Sequence, residues 1–265
     1  MKQMPFILIL AIFVLFPGSA RALDIQGSIG GMGLLRPNYE GSKEYEIDPL
    51  PLIDISIGKR VFLNSENGLG IYLLKHKVLE FGGSLGYYES REESDSDKLL
   101  GFDDIGDGID GRMFAKLKLY NYSLSIQVQN DLSSNHEGTL LNFGAGYSFQ
   151  PFRSSNWSFR AFTTFADDNY MQTYFSVSQA QLNASVIPLS VRAPFTATGG
   201  WKDIGLNSSF SIKLDRRWKA KWVFGYKRLT KSAAYSPLTR GLGSDDQYHF
   251  GIGLAYDFSG GALRF

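Results

Sequence analysis

The sequence predicts an all-β protein: a transmembrane, antiparallel, up-and-down β-barrel of about twelve strands, with ten as the alternative. Three observations carry that prediction. Apolar and polar residues alternate with period two along nearly the whole chain after residue 22, the signature of strands. In most of these stretches the bulky apolar face opposes a face of Gly, Ser, Gln and charge. That is inverted relative to a water-soluble core, where two sheets pack large apolar residues against each other, and it suits lipid outside and a wet lumen inside. Finally, the links between strands alternate short and long, as periplasmic turns and outer loops do.

Composition agrees. In 265 residues there are 29 Gly, 20 Phe, 14 Tyr and 4 Trp, a joint excess of glycine and aromatics expected of membrane barrels. The 27 basic residues balance 26 acids, which argues against a nucleic-acid binder driven by phosphate neutralisation. The absence of cysteine removes disulfide scaffolds, thiolate metal sites and cysteine nucleophiles.

The first 22 residues read as a secretory signal peptide. Met1-Lys2 is a basic start, Phe6 to Phe16 is an uncharged apolar run, and Ala20-Arg21-Ala22 is a small-x-small cleavage site. Cleavage removes two basic residues and no acid, tipping the formal charge from +1 to −1. Residues 23–265 are then expected to form one outer-membrane barrel. No later stretch gives 18 apolar residues in a row, so membrane crossing falls to strands.

The strands follow in order. Asp24 to Leu35 is glycine-rich and weak. Tyr122 to Asp131 sets Tyr122, Leu124, Ile126 and Val128 against Ser123, Ser125, Gln127 and Gln129. Thr139 to Gln150 sets Leu141, Phe143, Ala145, Tyr147 and Phe149 against Asn142, Gly144, Gly146, Ser148 and Gln150. Trp157 to Phe165 and Ile204 to Leu214 behave alike. Arg217 to Lys227 puts Trp218, Ala220, Trp222, Phe224 and Tyr226 on one face and three lysines and an arginine on the other. The last strand puts Tyr248, Phe250, Ile252, Leu254, Tyr256 and Phe258 outward. Aromatics near strand ends are placed as interface girdles. Val61 to Lys75 decides the count: two strands give twelve, one strand bulged at Asn67-Gly68 gives ten.

Chemistry is sparse. Nine acids between Glu89 and Asp110 form an acidic outer loop that reads either as a divalent-cation site at Asp103, Asp104 and Asp107 or as a solvated loop; its spacing does not match an EF-hand. His76 falls at a strand end, His136 in an outer loop and His249 on the lumen face. No H-E-x-x-H is present, and no catalytic residue, metal or cofactor is assigned. The lumen face is expected to hold Lys116, Lys118, Arg160, Lys213, Lys219, Lys221 and Lys227 against Asp54, Glu80, Asp131, Asp203 and Asp257. Such mixed charge either pairs across a narrow lumen or lines a small pore.

Several stretches resemble the MltA-interacting protein (MipA/OmpV) family of Gram-negative outer membranes. They are Arg36 to Ser42, Pro49 to Asp54, Gly138 to Leu140, Phe165 to Val177, Gly200 to Leu206 and the terminal strand, in the family's order. The terminal strand departs from the pattern, since seven residues follow Phe258, the last of them Phe265. The resemblance implies a non-enzymatic outer-membrane scaffold, set among lipid and lipopolysaccharide. Its implied partners are a lytic transglycosylase and a murein synthase, a bifunctional penicillin-binding protein. A narrow diffusion pore is the alternative, and a barrel lipid hydrolase working through His249 a third. Partner contact is expected at the basic periplasmic turns: Lys59, Arg60, Arg153, Arg216 and Arg217.

Overall fold

The computed structural model describes residues 23–263; the expected signal peptide and Phe265 lie outside them. Twelve strands form one closed barrel: β1 (Leu23–Pro37), β2 (Tyr45–Ile57), β3 (Val61–Asn64), β4 (Gly68–Lys75), β5 (Leu79–Tyr88), β6 (Gly108–Leu119), β7 (Tyr122–Asp131), β8 (Thr139–Phe149), β9 (Ser155–Ala166), β10 (Gly200–Lys213), β11 (Trp218–Leu229) and β12 (Asp246–Leu263). Each strand pairs antiparallel with its neighbours in sequence, and β1 closes on β12 with Ile29 opposite Tyr256 and Gly33 opposite Ile252. Closure pairs both strand edges, so backbone hydrogen bonding is satisfied without water at membrane depth. Among the described residues no helix is long and apolar enough to cross a membrane.

The count is twelve because residues 61–75 turn back on themselves. Asn64 Oδ1 accepts hydrogen bonds from the backbone N–H groups of Asn67 at 2.6 Å and Glu66 at 3.1 Å. Such an Asx turn reverses a chain in few residues. Gly68 follows at φ +74°, and a Cβ there would meet the Leu85 carbonyl oxygen at 2.0 Å. A glycine is required both by the backbone angle and by the neighbouring strand.

The two faces fall as the alternation predicts. On β7, Leu124, Ile126 and Val128 are exposed while Ser125, Gln127 and Gln129 are half-buried on the lumen side. On β12, Tyr248, Phe250, Ile252 and Leu254 are exposed while Gly251, Gly253 and Ala255 are buried. Each large apolar side chain left in water forgoes about 1.5–3 kcal/mol, so a band of them around the barrel demands lipid. Aromatic pairs tie this band together near the end that holds the termini: Tyr122 with Tyr147 at 4.9 Å between ring centres, Trp157 with Phe159 at 5.1 Å and Trp218 with Tyr256 at 5.3 Å.

The lumen also holds bulky side chains beside the small and polar ones. Phe62, Tyr72 and Phe114 converge with ring centres 4.8–5.9 Å apart. Their bulk is seated on glycines: a Cβ at Gly70 would meet Phe62 Cζ at 2.3 Å, and one at Gly82 would meet Phe114 Cζ at 2.8 Å. Met32, Leu34, Leu52 and Val223 crowd the strand opposite Gly251 and Gly253 in the same way. A barrel of this size fills part of its interior with side chains.

Strand β10 breaks period two. The β9–β10 register shifts between Trp201 and Asp203. Trp201 and Ile204 remain exposed, while both Lys202 and Asp203 are buried. A bulge inserts one extra residue and re-aims the side chains around it, here turning two consecutive charged residues inward.

Candidate functional site

The two ends of the barrel are built differently. The links 58–60, 76–78, 120–121, 150–154 and 214–217 are short turns on the end that carries both termini, the periplasmic end by the rule for such barrels. At the other end four long links fold together into a cap. Tyr39, Leu99, Phe102, Val177, Leu182 and Leu238 are buried in a single cluster, drawn from the β1–β2, β5–β6, β9–β10 and β11–β12 loops.

The longest loop supplies α1 (Asp168–Phe175) and α2 (Gln179–Ala184), and the β11–β12 loop supplies α3 (Lys231–Tyr235). Asp167 caps α1, its Oδ1 accepting from Tyr170 N at 2.9 Å while its Oδ2 accepts from Thr139 N at 2.8 Å. Ser178 and Gln181 form a capping box on α2. The helix α1 presents Tyr170, Met171 and Phe175 to a second buried cluster with Leu229 and Ala233.

Glu40 is the electrostatic centre of the cap. Its Oε1 accepts from Lys202 Nζ at 2.5 Å and Lys227 Nζ at 2.6 Å, and its Oε2 accepts from the Tyr170 hydroxyl at 3.1 Å. Lys202 lies a further 3.1 Å from Asp203 and 5.1 Å from the centre of the Tyr170 ring. Burial pushes the Glu40 carboxyl up, but the two ammonium groups outweigh it and hold it well below the usual carboxylate range. The first outer loop is thereby fastened to lumen-facing lysines of β10 and β11.

Next to it, the Tyr170 and Tyr174 rings stack 4.4 Å apart. Burial, with the Glu40 charge, pushes the Tyr174 hydroxyl up to about 12. Buried Arg91 reaches from the β5–β6 loop and donates to the Tyr174 carbonyl at 2.8 Å. His136 is enclosed by Tyr88, Tyr170 and Tyr174, and its Nδ1 accepts from Gly138 N at 3.0 Å.

The acids of the 89–110 loop hold their own backbone and the neighbouring loop. Asp104 accepts from Glu93 N, Asp107 from Ser90 N, and Asp103 from the Gln181 side chain. Among the described residues no three of His, Asp and Glu converge as a metal site. His249 lies on the lumen side over Gly225, in register with Asn207. Two lumen-facing serines stand away from it: Ser211 is four residues along β10 from Asn207, about 13 Å at strand rise, and Ser148 pairs with Ser158 on another wall.

A family model described as MltA-interacting protein MipA matches residues 29–258. The chain belongs to that family. It is an outer-membrane β-barrel protein, as the resemblance implied. No curated protein matches the chain. Among solved structures it is similar to the NanC porin (8% identity, 89% of this chain and 100% of that one, TM-score 0.43). It is also similar to an outer membrane channel from Pseudomonas putida F1 (10%, 92% and 100%, 0.41) and to the outer-membrane OmpT of Vibrio cholerae (8%, 92% and 99%, 0.39).

In this MipA-family barrel the five basic residues singled out from sequence are all exposed on short turns of the periplasmic end. The β8–β9 hairpin (Arg153) and the β10–β11 hairpin (Arg216, Arg217) are adjacent. Lys59 and Arg60 follow beyond β12 and β1, so the five form one arc of the rim. Arg217 is held in place, its guanidinium 5.7 Å from the centre of the Tyr256 ring, and Asp215 Oδ1 accepts from Arg217 N and Trp218 N at 2.7 Å each. Sequence reasoning passed over Lys77, exposed on the β4–β5 turn, although its place between two strand patterns marked it as a rim residue. It also passed over Glu40, Arg91 and Lys202 in the cap.

Proposed function

We propose that this barrel is a scaffold of cell-wall assembly, which holds a lytic transglycosylase near a murein synthase at the inner surface of the outer membrane. The observation that carries the reading is the MipA-family match across residues 29–258, a family described by its interaction with MltA. The periplasmic arc of Lys59, Arg60, Arg153, Arg216 and Arg217 supports it. Basic groups on a rim raise the encounter rate with an acidic partner or with the anionic wall. The capped outer mouth supports a structural role over free diffusion of solutes.

The test is direct binding. The mature barrel is immobilised in detergent and exposed to purified lytic transglycosylase, then to the transglycosylase with a bifunctional penicillin-binding protein. The expected result is saturable capture of the first and co-capture of the second, both competed by free barrel. Changing all five basic residues to Gln is expected to weaken capture at low salt and to have little effect at high salt, where rim charges are screened. Absence of saturable capture by the unaltered barrel overturns the scaffold reading. Unchanged capture by the five-residue variant at low salt overturns the assignment of the contact to this arc.

A further inference from the structure

The lumen cations divide into two sets. Lys118 pairs with Glu80 at 2.6 Å, Lys219 with Asp257 at 2.9 Å, Arg112 with Asp110, and Lys202 and Lys227 with Glu40. Lys116, Arg160, Lys213 and Lys221 form no ion pair with the described residues, and all four lie in the periplasmic half of the barrel.

Two of these are brought together by the pattern of small residues on the wall between them. Lys116 on β6 stands opposite Ser125 on β7, and Ser125 opposite Gly144 on β8. Arg160 on β9 lies across β8: a Cβ at Gly144 would meet Arg160 Nε at 2.5 Å and Ser125 Oγ at 2.7 Å. The far end of Arg160, Nη2, is 3.5 Å from Ser125 Oγ, a long contact that leaves most of its five donors unspent. Its guanidinium rests 5.9 Å from the centre of the Phe162 ring. A fork of donors, an ammonium group and a hydroxyl therefore share one patch of lumen wall; the carboxylate of Glu80, opposite Lys116 on β5, is taken up by Lys118. The cap folds over the outer mouth above, whereas the periplasmic opening below has only short turns.

We propose that the periplasmic half of the lumen is a binding site for small oxyanions, carboxylate or phosphate groups that enter from the periplasm and sit between Arg160, Lys116 and Ser125. The guanidinium matches the two oxygens of such a group. Lys213 and Lys221 add to the positive potential along the entry path. The inference is independent of the scaffold reading, since it concerns the inside of the barrel and not its rim.

The chain has no cysteine, so Ser125→Cys provides a single thiol at the site. The refolded full barrel carrying it is treated with anionic sulfonatoethyl methanethiosulfonate and with the cationic trimethylammonium analogue. The anionic reagent is expected to react faster by roughly tenfold or more, and inorganic phosphate to slow it. With Lys116→Gln and Arg160→Gln added, the two rates are expected to converge and phosphate protection to vanish. Heat-shifted gel mobility checks that each variant is folded. Equal rates in the parent thiol variant, no reaction with either reagent, no protection by phosphate, or a preference that survives the double neutralisation would each overturn the site.

Discussion

Glu40 and Lys202 stand 162 residues apart in sequence and 2.5 Å apart at the outer mouth. The contact requires the bulge that turns Lys202 inward and the loop that folds Glu40 over the lumen. Removing the carboxylate leaves buried Lys202 and half-buried Lys227 without their shared partner. Breaking a buried pair from one side costs about 3–5 kcal/mol. Glu40→Gln is therefore expected to open the cap locally, with amide-exchange protection in α1 falling by about 10²-fold or more, while the strands of β6–β8 keep theirs. Unchanged protection in α1 would show that the apolar clusters hold the cap unaided.

The same pair sets a pH dependence. The Glu40 carboxyl is held below its ordinary value of 4.5 in the closed cap. A depressed folded value means that its contribution is fully present above the ordinary value, and is lost as pH falls through the depressed one. The Glu40 latch is thus expected to hold from neutrality down to about pH 5. Difference spectra of the carboxyl stretch between the parent and Glu40→Gln, taken from pH 7 to 3, would locate the titration; a midpoint at or above 4.5 contradicts the prediction.

His136 titrates with the opposite consequence for mild acid. Burial lowers its value below 6.5, with the Asp131 charge opposing. The open loop therefore binds a proton before the closed one does, and stability declines as pH falls below about 6.5. Exchange protection of residues 132–138, corrected for intrinsic rates, is expected to decrease between pH 7 and 5.5 in the parent and to stay level in His136→Phe. A parent that is equally level over that range would exclude His136 as the source.

The barrel was legible because alternation is local: each strand carries its own record of which face meets lipid. The cap was not, because it depends on contacts between loops far apart in sequence. Three of the stretches that carry the family resemblance, Arg36 to Ser42, Phe165 to Val177 and Gly200 to Leu206, meet in space at Glu40, Tyr170 and Lys202. Sequence showed them as motifs and could not show them as neighbours. Strict alternation placed Asp203 in the lumen and thereby sent Lys202 outward; only the bulge reconciles both. The lumen rings of Phe62, Tyr72 and Phe114 were hidden for a related reason. Phe62 and Phe114 fit on the inner face because Gly70 and Gly82 on the next strands make room, and that pairing needs the register.

The register at residues 64–68 can itself be tested. Gly68→Ala forces a Cβ into the left-handed region and against the Leu85 carbonyl, at a cost of about 1–3 kcal/mol for the backbone alone. Gly31→Ala serves as the control, since a Cβ there meets nothing within 4 Å. The first is expected to lower the urea midpoint of the refolded barrel and the second to leave it nearly unchanged. Equal midpoints would mean that the tight β3–β4 turn, and with it the count of twelve, is wrong.

The assignment of faces makes the sharpest demand on neighbouring residues. Ile126 faces lipid and is exposed, whereas Ser123, three residues earlier on the same strand, faces the lumen. A cation on the lipid face near mid-bilayer costs about 2–4 kcal/mol, while one in the lumen stays hydrated. Ile126→Lys is therefore expected to reduce folding into bilayers by that amount, read from urea titrations in vesicles, and Ser123→Lys to fold nearly as the parent does. The opposite order would invert the barrel wall. It would also put Ser125, Gly144 and Arg160 in lipid, where neither a wet lumen nor an oxyanion site can exist.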